Sequence, residues 1–202
     1  MTRKKITIIL VALIIIDQVV KILIKTNMAL GESITVFPDW FRIYFIENPG
    51  AAFGMQLGGD YGKLILSLFR IGAVAVLIWY LNRLLKRKAP TGVIVGFGLI
   101  LVGALGNIID SAFYGMIFSE STTSTVATMF PEGGGYAGFL HGKVVDMLYF
   151  PLFTINNMPD WLSWLGGSDG SFTFFSPVFN IADSYITIGV IYLLLFQWKY
   201  FK

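Results

Sequence analysis

Cysteine is absent from this chain, which removes disulfides, thiol nucleophiles and cysteine-bound metals, and means that the chain cannot itself be lipidated on cysteine. Histidine occurs once, at His141, so a zinc site would have to combine one imidazole with carboxylates, a poor match to metallopeptidase spacing. No Gly-x-x-x-x-Gly-Lys-Ser/Thr phosphate-binding loop occurs. Charge is also scarce. Only 13% of the 202 residues are Asp, Glu, Lys or Arg, 55% are hydrophobic and mean hydropathy is +0.71, which is outside the usual range for soluble domains and describes an integral membrane protein.

Long apolar runs are what the chain does have. Residues 6–24, 64–85, 91–112 and 178–198 each approach the roughly 20 helical residues needed to cross a hydrocarbon core of about 30 Å. The first run follows Arg3-Lys4-Lys5, as a secretory signal would. It lacks a small-residue cleavage site, carries Asp17 and Lys21, and precedes three further runs, so it reads as a retained helix.

Basic residues set the orientation. They cluster at Arg3-Lys4-Lys5, at Arg83, Lys86, Arg87 and Lys88, and at Lys199 and Lys202, so the positive-inside rule puts both termini in the cytoplasm. Segments 26–63 and 113–177 then lie on the outer side. The expected architecture is a single membrane-embedded domain over 1–202, mostly α, with four transmembrane helices, a small extracytoplasmic β element and outer loops. At about 1.5 Å per helical residue, Asp183 lies roughly 24 Å from Lys199, Asp110 roughly 30 Å from Pro90 and Asp17 roughly 18 Å beyond Lys5. The polar groups of three helices thus converge on one outer-leaflet layer.

Within the outer segments, residues 33–47 are rich in aromatic and β-branched types and are bounded by Gly31 and by Asn48-Pro49-Gly50, which predicts short strands closed by a turn. The small residues of Ala51-Ala52-Phe53-Gly54 would admit a close approach of backbone to a partner. Residues 119–138, rich in Ser, Thr and Gly, predict a mobile loop without a core of its own. Trp161 and Trp164 are expected at headgroup level, and Arg70 is expected to snorkel outward or to meet a substrate.

The carboxylates are the candidates for chemistry, because an ionisable group in or against a bilayer costs roughly 2.5–3.5 kcal/mol and is by default a functional hypothesis. Asp146, in Val144-Val145-Asp146, and Asp183, in Phe179-Asn180-Ile181-Ala182-Asp183-Ser184, could share a proton and divide acid and base roles in peptide hydrolysis. The plainer alternatives are a loop cap for Asp146 and a helix N-cap for Asp183. Asp17 and Lys21, four residues apart, are expected to pair. Asn107 and Asp110 share a helical face and could bond a neighbouring loop or a substrate backbone.

In their order along the chain, Asp17-Gln18-x-x-Lys21, Glu47-Asn48-Pro49-Gly50-Ala51-Ala52-Phe53-Gly54, Gly106-Asn107-x-x-Asp110, Val144-Val145-Asp146 and Phe179-Asn180-Ile181-Ala182-Asp183-Ser184 resemble the bacterial lipoprotein signal peptidase, or type II signal peptidase, family. The resemblance covers nearly the whole chain. It implies an aspartic endopeptidase of the bacterial inner membrane, multi-pass, with its site toward the periplasm. The implied reaction removes signal peptides from diacylglyceryl-modified prolipoproteins by cutting on the amino side of the lipidated cysteine. Asp146 and Asp183 would be the catalytic pair, Asn48, Asn107, Asp110 and Asn180 would line the site or hold substrate, and Asp17 and Lys21 would support it. No metal or organic cofactor is implied. The implied partners are prolipoproteins and membrane lipid, not nucleic acid, and nothing calls for more than a monomer.

Two departures accompany the resemblance. Ser111 stands where the family pattern has Arg, with Lys143 or Arg70 as candidates to replace it, and the stretches on either side of Asp146 are longer than usual, as a lid, an added recognition surface or a neutral insertion. From other classes, the carboxylates at Asp17, Asp110 and Asp183 could form the relay of a proton-coupled transporter, although they cluster at one interface and no repeat is visible. A non-catalytic lipid-binding or assembly protein is the other alternative.

Overall fold

The computed structural model describes residues 3–38, 40–49, 59–156 and 171–202. Ala51-Ala52-Phe53-Gly54, Trp161 and Trp164 lie outside the described residues. Helix α1 (Arg3–Asn27) is followed by strands β1 (Ser33–Phe37) and β2 (Phe41–Asn48), then by α2 (Gly59–Lys86) and α3 (Thr91–Ile109). Helix α3 runs into a π-helical turn (Asp110–Tyr114) and a short α4 (Gly115–Ile117). Strands β3 (Val144–Tyr149), β4 (Phe153–Ile155) and β5 (Phe172–Phe174) precede α5 (Ile181–Phe196), which ends in a 3-10 turn, Trp198–Phe201.

Three helical stretches are long and apolar enough to cross a membrane: Arg3–Asn27, Ser67–Lys86 and Thr91–Ile117. The fourth apolar helix, Ile181–Phe196, has 16 residues and is shorter than the run 178–198 because its start is fixed by a cap at Asn180. Large apolar side chains on the helices face outward, among them Phe69, Val76, Leu194 and Phe196, each more than 60% exposed. So much outward apolar surface is unfavourable in water and suits lipid.

Helices α3 and α5 pack closely because the seam is built from small residues. A Cβ on Gly103 would fall 2.2 Å from the Ala182 carbonyl oxygen, and one on Gly106 would fall 2.5 Å from Asp17 Oδ2. Without side chains at these points, α1, α3 and the mouth of α5 meet at one level. The inner core lies between helices, around Leu81, Leu84, Val93, Leu101 and Leu193.

The expected outer strands are present. Strands β1, β2 and β3 form an antiparallel sheet in that order, with Arg42 opposite Tyr149, Ile46 opposite Asp146 and Asn48 opposite Val144. A bulge between Ile43 and Ile46 interrupts the register. Beyond β3, Phe179 and Leu148 exchange backbone hydrogen bonds at 3.1 and 2.7 Å, which brings the chain entering α5 alongside Asp146. Strands β4 and β5 form a separate pair within the second outer segment.

The Ser/Thr/Gly-rich stretch 119–138 is mostly exposed and has no core of its own, as expected, but it is anchored to the rest of the fold. Phe118 and Ala127 are buried with Met28, Phe45, Tyr114, Val145 and Met147 in an outer core beneath the sheet, and Tyr136 packs against it. Backbone hydrogen bonds fasten the returning chain along the end of α3: Tyr136 N to Phe118 O, Ala137 N to Gly115 O, Leu140 N to Ala112 O and Gly142 N to Ser111 O. Ser111 and Ala112 lie in the π-helical turn and Gly115 directly follows it. Gly142 is required at the closest approach, where a Cβ would fall 2.1 Å from the Asp110 carbonyl oxygen.

Candidate active site

Asp146 lies in a strand, not in a loop, and is 3% exposed. Asp183 lies in the first turn of α5 but is not the cap. That position belongs to Asn180, whose Oδ1 accepts from Asp183 N at 2.9 Å, while Asp183 Oδ2 accepts from Asn180 N at 3.4 Å, a reciprocal capping box. The same Asn180 donates through Nδ2 to Asp146 Oδ1 at 2.7 Å. One side chain therefore joins the two aspartates.

Asn107 completes the connection. Its Nδ2 donates to Asp183 Oδ1 at 2.7 Å, and its Oδ1 accepts from Asn180 Nδ2 at 3.0 Å and from Lys21 Nζ at 3.0 Å. Lys21 has only donors, so its contact fixes which end of the Asn107 amide faces it and leaves the amide nitrogen for Asp183. Asn48, two residues along β2 from Ile46, lies diagonally across the strand pair from Asp146 and hydrogen bonds to its carboxylate.

Beneath these groups lies a fully buried ionic layer. Lys21 Nζ is 3.1 Å from Asp17 Oδ2 and 2.9 Å from Asp110 Oδ2, so the expected Asp17–Lys21 pair is present and Asp110 joins it. Each carboxylate also holds backbone. Asp17 Oδ1 accepts from Ala182 N at 2.9 Å, and Asp110 Oδ2 accepts from Val145 N at 3.2 Å. Ala182 and Val145 immediately precede Asp183 and Asp146. The ionic layer is thereby connected to both aspartates through the main chain.

Gln18 bridges the two carboxylates of this layer. Its Nε2 donates to Asp17 Oδ2, to Asp110 Oδ1 and to the Gly106 carbonyl oxygen, and its Oε1 accepts from Tyr114 Oη at 3.1 Å. Burial is the main reason that the Asp146 carboxyl is pushed up to about 7, and the neighbouring charge of Asp183 acts in the same direction. Hydrogen bonds from Asn180 and Asn48 and the charge of Lys21 oppose the rise but do not cancel it.

Ser111 turns back on its own helix, with Oγ donating to the Asn107 carbonyl oxygen at 3.0 Å, and reaches neither aspartate. Lys143 is engaged elsewhere, 3.4 Å from Glu47 and 3.3 Å from Glu120. Arg70 is half-buried on α2, and its guanidinium is attracted by both Asp183 and Asp146.

Sequence reasoning missed Lys25. It continues the buried stripe of Asp17 and Lys21 by one further turn, pairs with Glu47, and donates to Ser121 Oγ at 2.8 Å. The spacing 17, 21, 25 was the available signal. Among the described residues, no group of three or more His, Asp and Glu side chains is arranged to hold a metal ion.

Residues 9–199 match the model of the family described as signal peptidase (SPase) II. A lipoprotein signal peptidase of Porphyromonas gingivalis is 50% identical over 193 residues, covering 95% of this chain and 82% of that protein. One from Amoebophilus asiaticus is 37% identical over 185 residues, covering 90% of this chain and 72% of its own length. A solved bacterial membrane enzyme superposes with a TM-score of 0.60 at 28% identity, over 96% of this chain and 92% of the other.

Proposed function

We propose a mechanism for this chain, which belongs to the signal peptidase II family and is by that membership a peptidase that removes signal peptides from prolipoproteins. Asp146 and Asp183 act as an aspartic dyad, cutting on the amino side of a diacylglyceryl-modified cysteine. The observation that carries this reading is the bridge through Asn180, which holds Asp146 with its amide nitrogen at 2.7 Å and the Asp183 N–H with its amide oxygen at 2.9 Å.

The roles divide by environment. Asp146, buried and pushed up to about 7, holds the shared proton and presents it to the scissile carbonyl oxygen. Asp183, whose two oxygens receive Asn107 Nδ2 and Asn180 N, takes a proton from water. The resulting hydroxide adds to the carbonyl carbon to give a tetrahedral diol. Asp183 then delivers its proton to the leaving amine as the C–N bond breaks, and the proton returned to Asp146 restores the dyad. Arg70 contributes positive potential where negative charge develops on the carbonyl oxygen. Asn48 orients Asp146, and Asp17, Lys21 and Asp110 hold the two backbone segments in place.

The topology serves the substrate. Helix α5, about 24 Å long, crosses as a fourth span together with its terminal 3-10 turn, both termini lie in the cytoplasm, and the dyad faces the periplasmic surface of the bacterial inner membrane. A substrate held by its own apolar helix and its lipid arrives laterally at this level, where water is also present. The test is cleavage of a diacylglyceryl prolipoprotein peptide by purified protein, with mass spectrometry of the product. A product beginning at the lipidated cysteine is expected from the wild type and none from Asp146→Asn or Asp183→Asn; full turnover by either variant rules out the dyad.

A further inference from the structure

A second buried ionic group lies on the opposite side of β2 from Asp146. Consecutive strand residues point to opposite faces, so Asn48 reaches Asp146 while Glu47 turns toward the helices. There Glu47 Oε1 meets Lys25 Nζ and accepts from Ser121 Oγ at 3.0 Å, and Ser121 Oγ in turn accepts from Lys25 Nζ at 2.8 Å. The other carboxylate oxygen, Oε2, is buried, lacks a hydrogen bond among the described residues, and lies 3.4 Å from Lys143 Nζ. The Lys25 and Glu47 side chains are 0% and 2% exposed.

This group joins three parts of the chain that are far apart in sequence. Lys25 belongs to the last turns of α1, Glu47 to the end of β2, and Ser121 and Lys143 to the stretch between α4 and β3. Aromatic rings enclose it: Lys25 Nζ lies 5.4 Å from the Phe118 ring centre and 5.0 Å from that of Tyr136, and Lys143 Nζ lies 5.3 Å from Tyr136. Burial of two charges costs more than a surface pair returns, and an apolar pair would fill such a space at least as favourably, so their retention here points to a demand for one defined geometry.

We propose that Lys25, Glu47 and Ser121 form a positioning clamp for the catalytic pair, setting the end of β2 so that Asn48 reaches Asp146 and fixing the long outer segment over the other face of the sheet. The proposal rests on the dyad reading above in that Asp146 is taken as the group positioned. None of the three clamp residues touches the reacting atoms. Their effect passes through Asn48, one peptide bond away from Glu47.

A double-mutant cycle tests this with the full-length protein in detergent or nanodiscs. Glu47→Leu or Lys25→Met alone unbalances the buried charges and is expected to lower the melting temperature. The double variant Lys25→Met/Glu47→Leu removes both charges and is expected to restore it. In that restored protein, kcat on a diacylglyceryl prolipopeptide is expected to stay about tenfold down with KM little changed, since misplacement of a catalytic group by a fraction of an ångström is enough. In an Asn48→Ala background the same double change is expected to add no further loss. Wild-type kcat in the double variant, or losses that multiply with Asn48→Ala, would overturn the clamp and leave a merely structural pair. The coupling between the clamp and Asn48 is read from kcat of the Asp146-containing protein, so it is separate from the Asp146→Asn assay that decides the dyad.

Discussion

Lys21 Nζ donates to Asn107 Oδ1 at 3.0 Å, and through that contact a cation that touches neither candidate catalytic aspartate orients the amide that holds one of them. The opposite end of Asn107 then faces Asp183 at 2.7 Å, and Asn180 passes the connection on to Asp146. The site is thus a chain of directed hydrogen bonds that begins at a buried ion pair in α1.

Removal of Lys21 has two separable consequences. Lys21→Met leaves Asp17 and Asp110 facing each other without a cation, and breaking a buried ion group in this way costs about 3–5 kcal/mol. Chemical denaturation in detergent is expected to report that loss. Cleavage is expected to fall at least 100-fold, because Asn107 loses the contact that sets its orientation.

The dyad predicts a specific pair of losses. Asp146→Asn and Asp183→Asn are each expected to lower kcat on a diacylglyceryl prolipopeptide by about a thousandfold or more while leaving the far-ultraviolet circular dichroism spectrum unchanged. Equal losses and a non-additive double variant indicate two groups acting as one unit.

The pH dependence follows from Asp146. Its carboxyl is pushed up to about 7 in the folded chain from an ordinary value of 3.8, so between those values the native state keeps a proton that the unfolded chain has released. Stability therefore falls as pH rises through that window, and the penalty is complete above pH 7. Asp146→Asn is expected to match the wild type near pH 4 and to exceed it by on the order of 4 kcal/mol at pH 8 in denaturant titrations. In the wild-type rate profile, the same ionisation places the alkaline limb near pH 7.

Asn180 combines a cap and a bridge in one side chain, and two substitutions separate them. Asn180→Ser retains a capping oxygen for α5 and is expected to hold stability within about 0.5 kcal/mol, whereas Asn180→Ala costs about 1 kcal/mol. Both lose the donor to Asp146 and the donor to Asn107. A comparable drop of about tenfold or more in kcat for the two, despite their different stabilities, is the expected result from steady-state kinetics.

The outer segment is expected to behave as part of the fold. Deletion of 120–138 removes Ser121, Ala127 and Tyr136 from the outer core and is expected to lower the melting temperature strongly, by differential scanning fluorimetry. A loss of substrate affinity with unchanged stability would instead mark the segment as a free lid.

Much of the architecture was legible before any fold was known. Apolar runs of about 20 residues, basic clusters at their ends and the i, i+4 spacing of Asp17 and Lys21 are local or one-dimensional signals, and each corresponds to a physical requirement of a helix in lipid. The β-branched and aromatic run at 33–47 did form strands. The Ser, Thr and Gly of 119–138 are mostly exposed, as their composition predicts, but composition does not show that Ser121 and Ala127 anchor the stretch to the fold. Ser121 and Gly142 look like loop residues in sequence and are buried contacts in space.

By itself, then, the sequence determined the membrane class, the level of the polar layer and the identity of the carboxylates worth weighing, since periodicity and hydropathy act along the chain. The tertiary structure alone decided which groups meet. Asn180 rather than Asp183 caps α5, Lys21 is shared by two carboxylates from different helices, and the Asp146 carboxyl is pushed toward neutral pH by its burial within a sheet whose register no local pattern encodes. Hydrogen bonds and desolvation depend on distances of a few ångströms between residues that are tens to more than a hundred positions apart, and only the packed fold sets those distances.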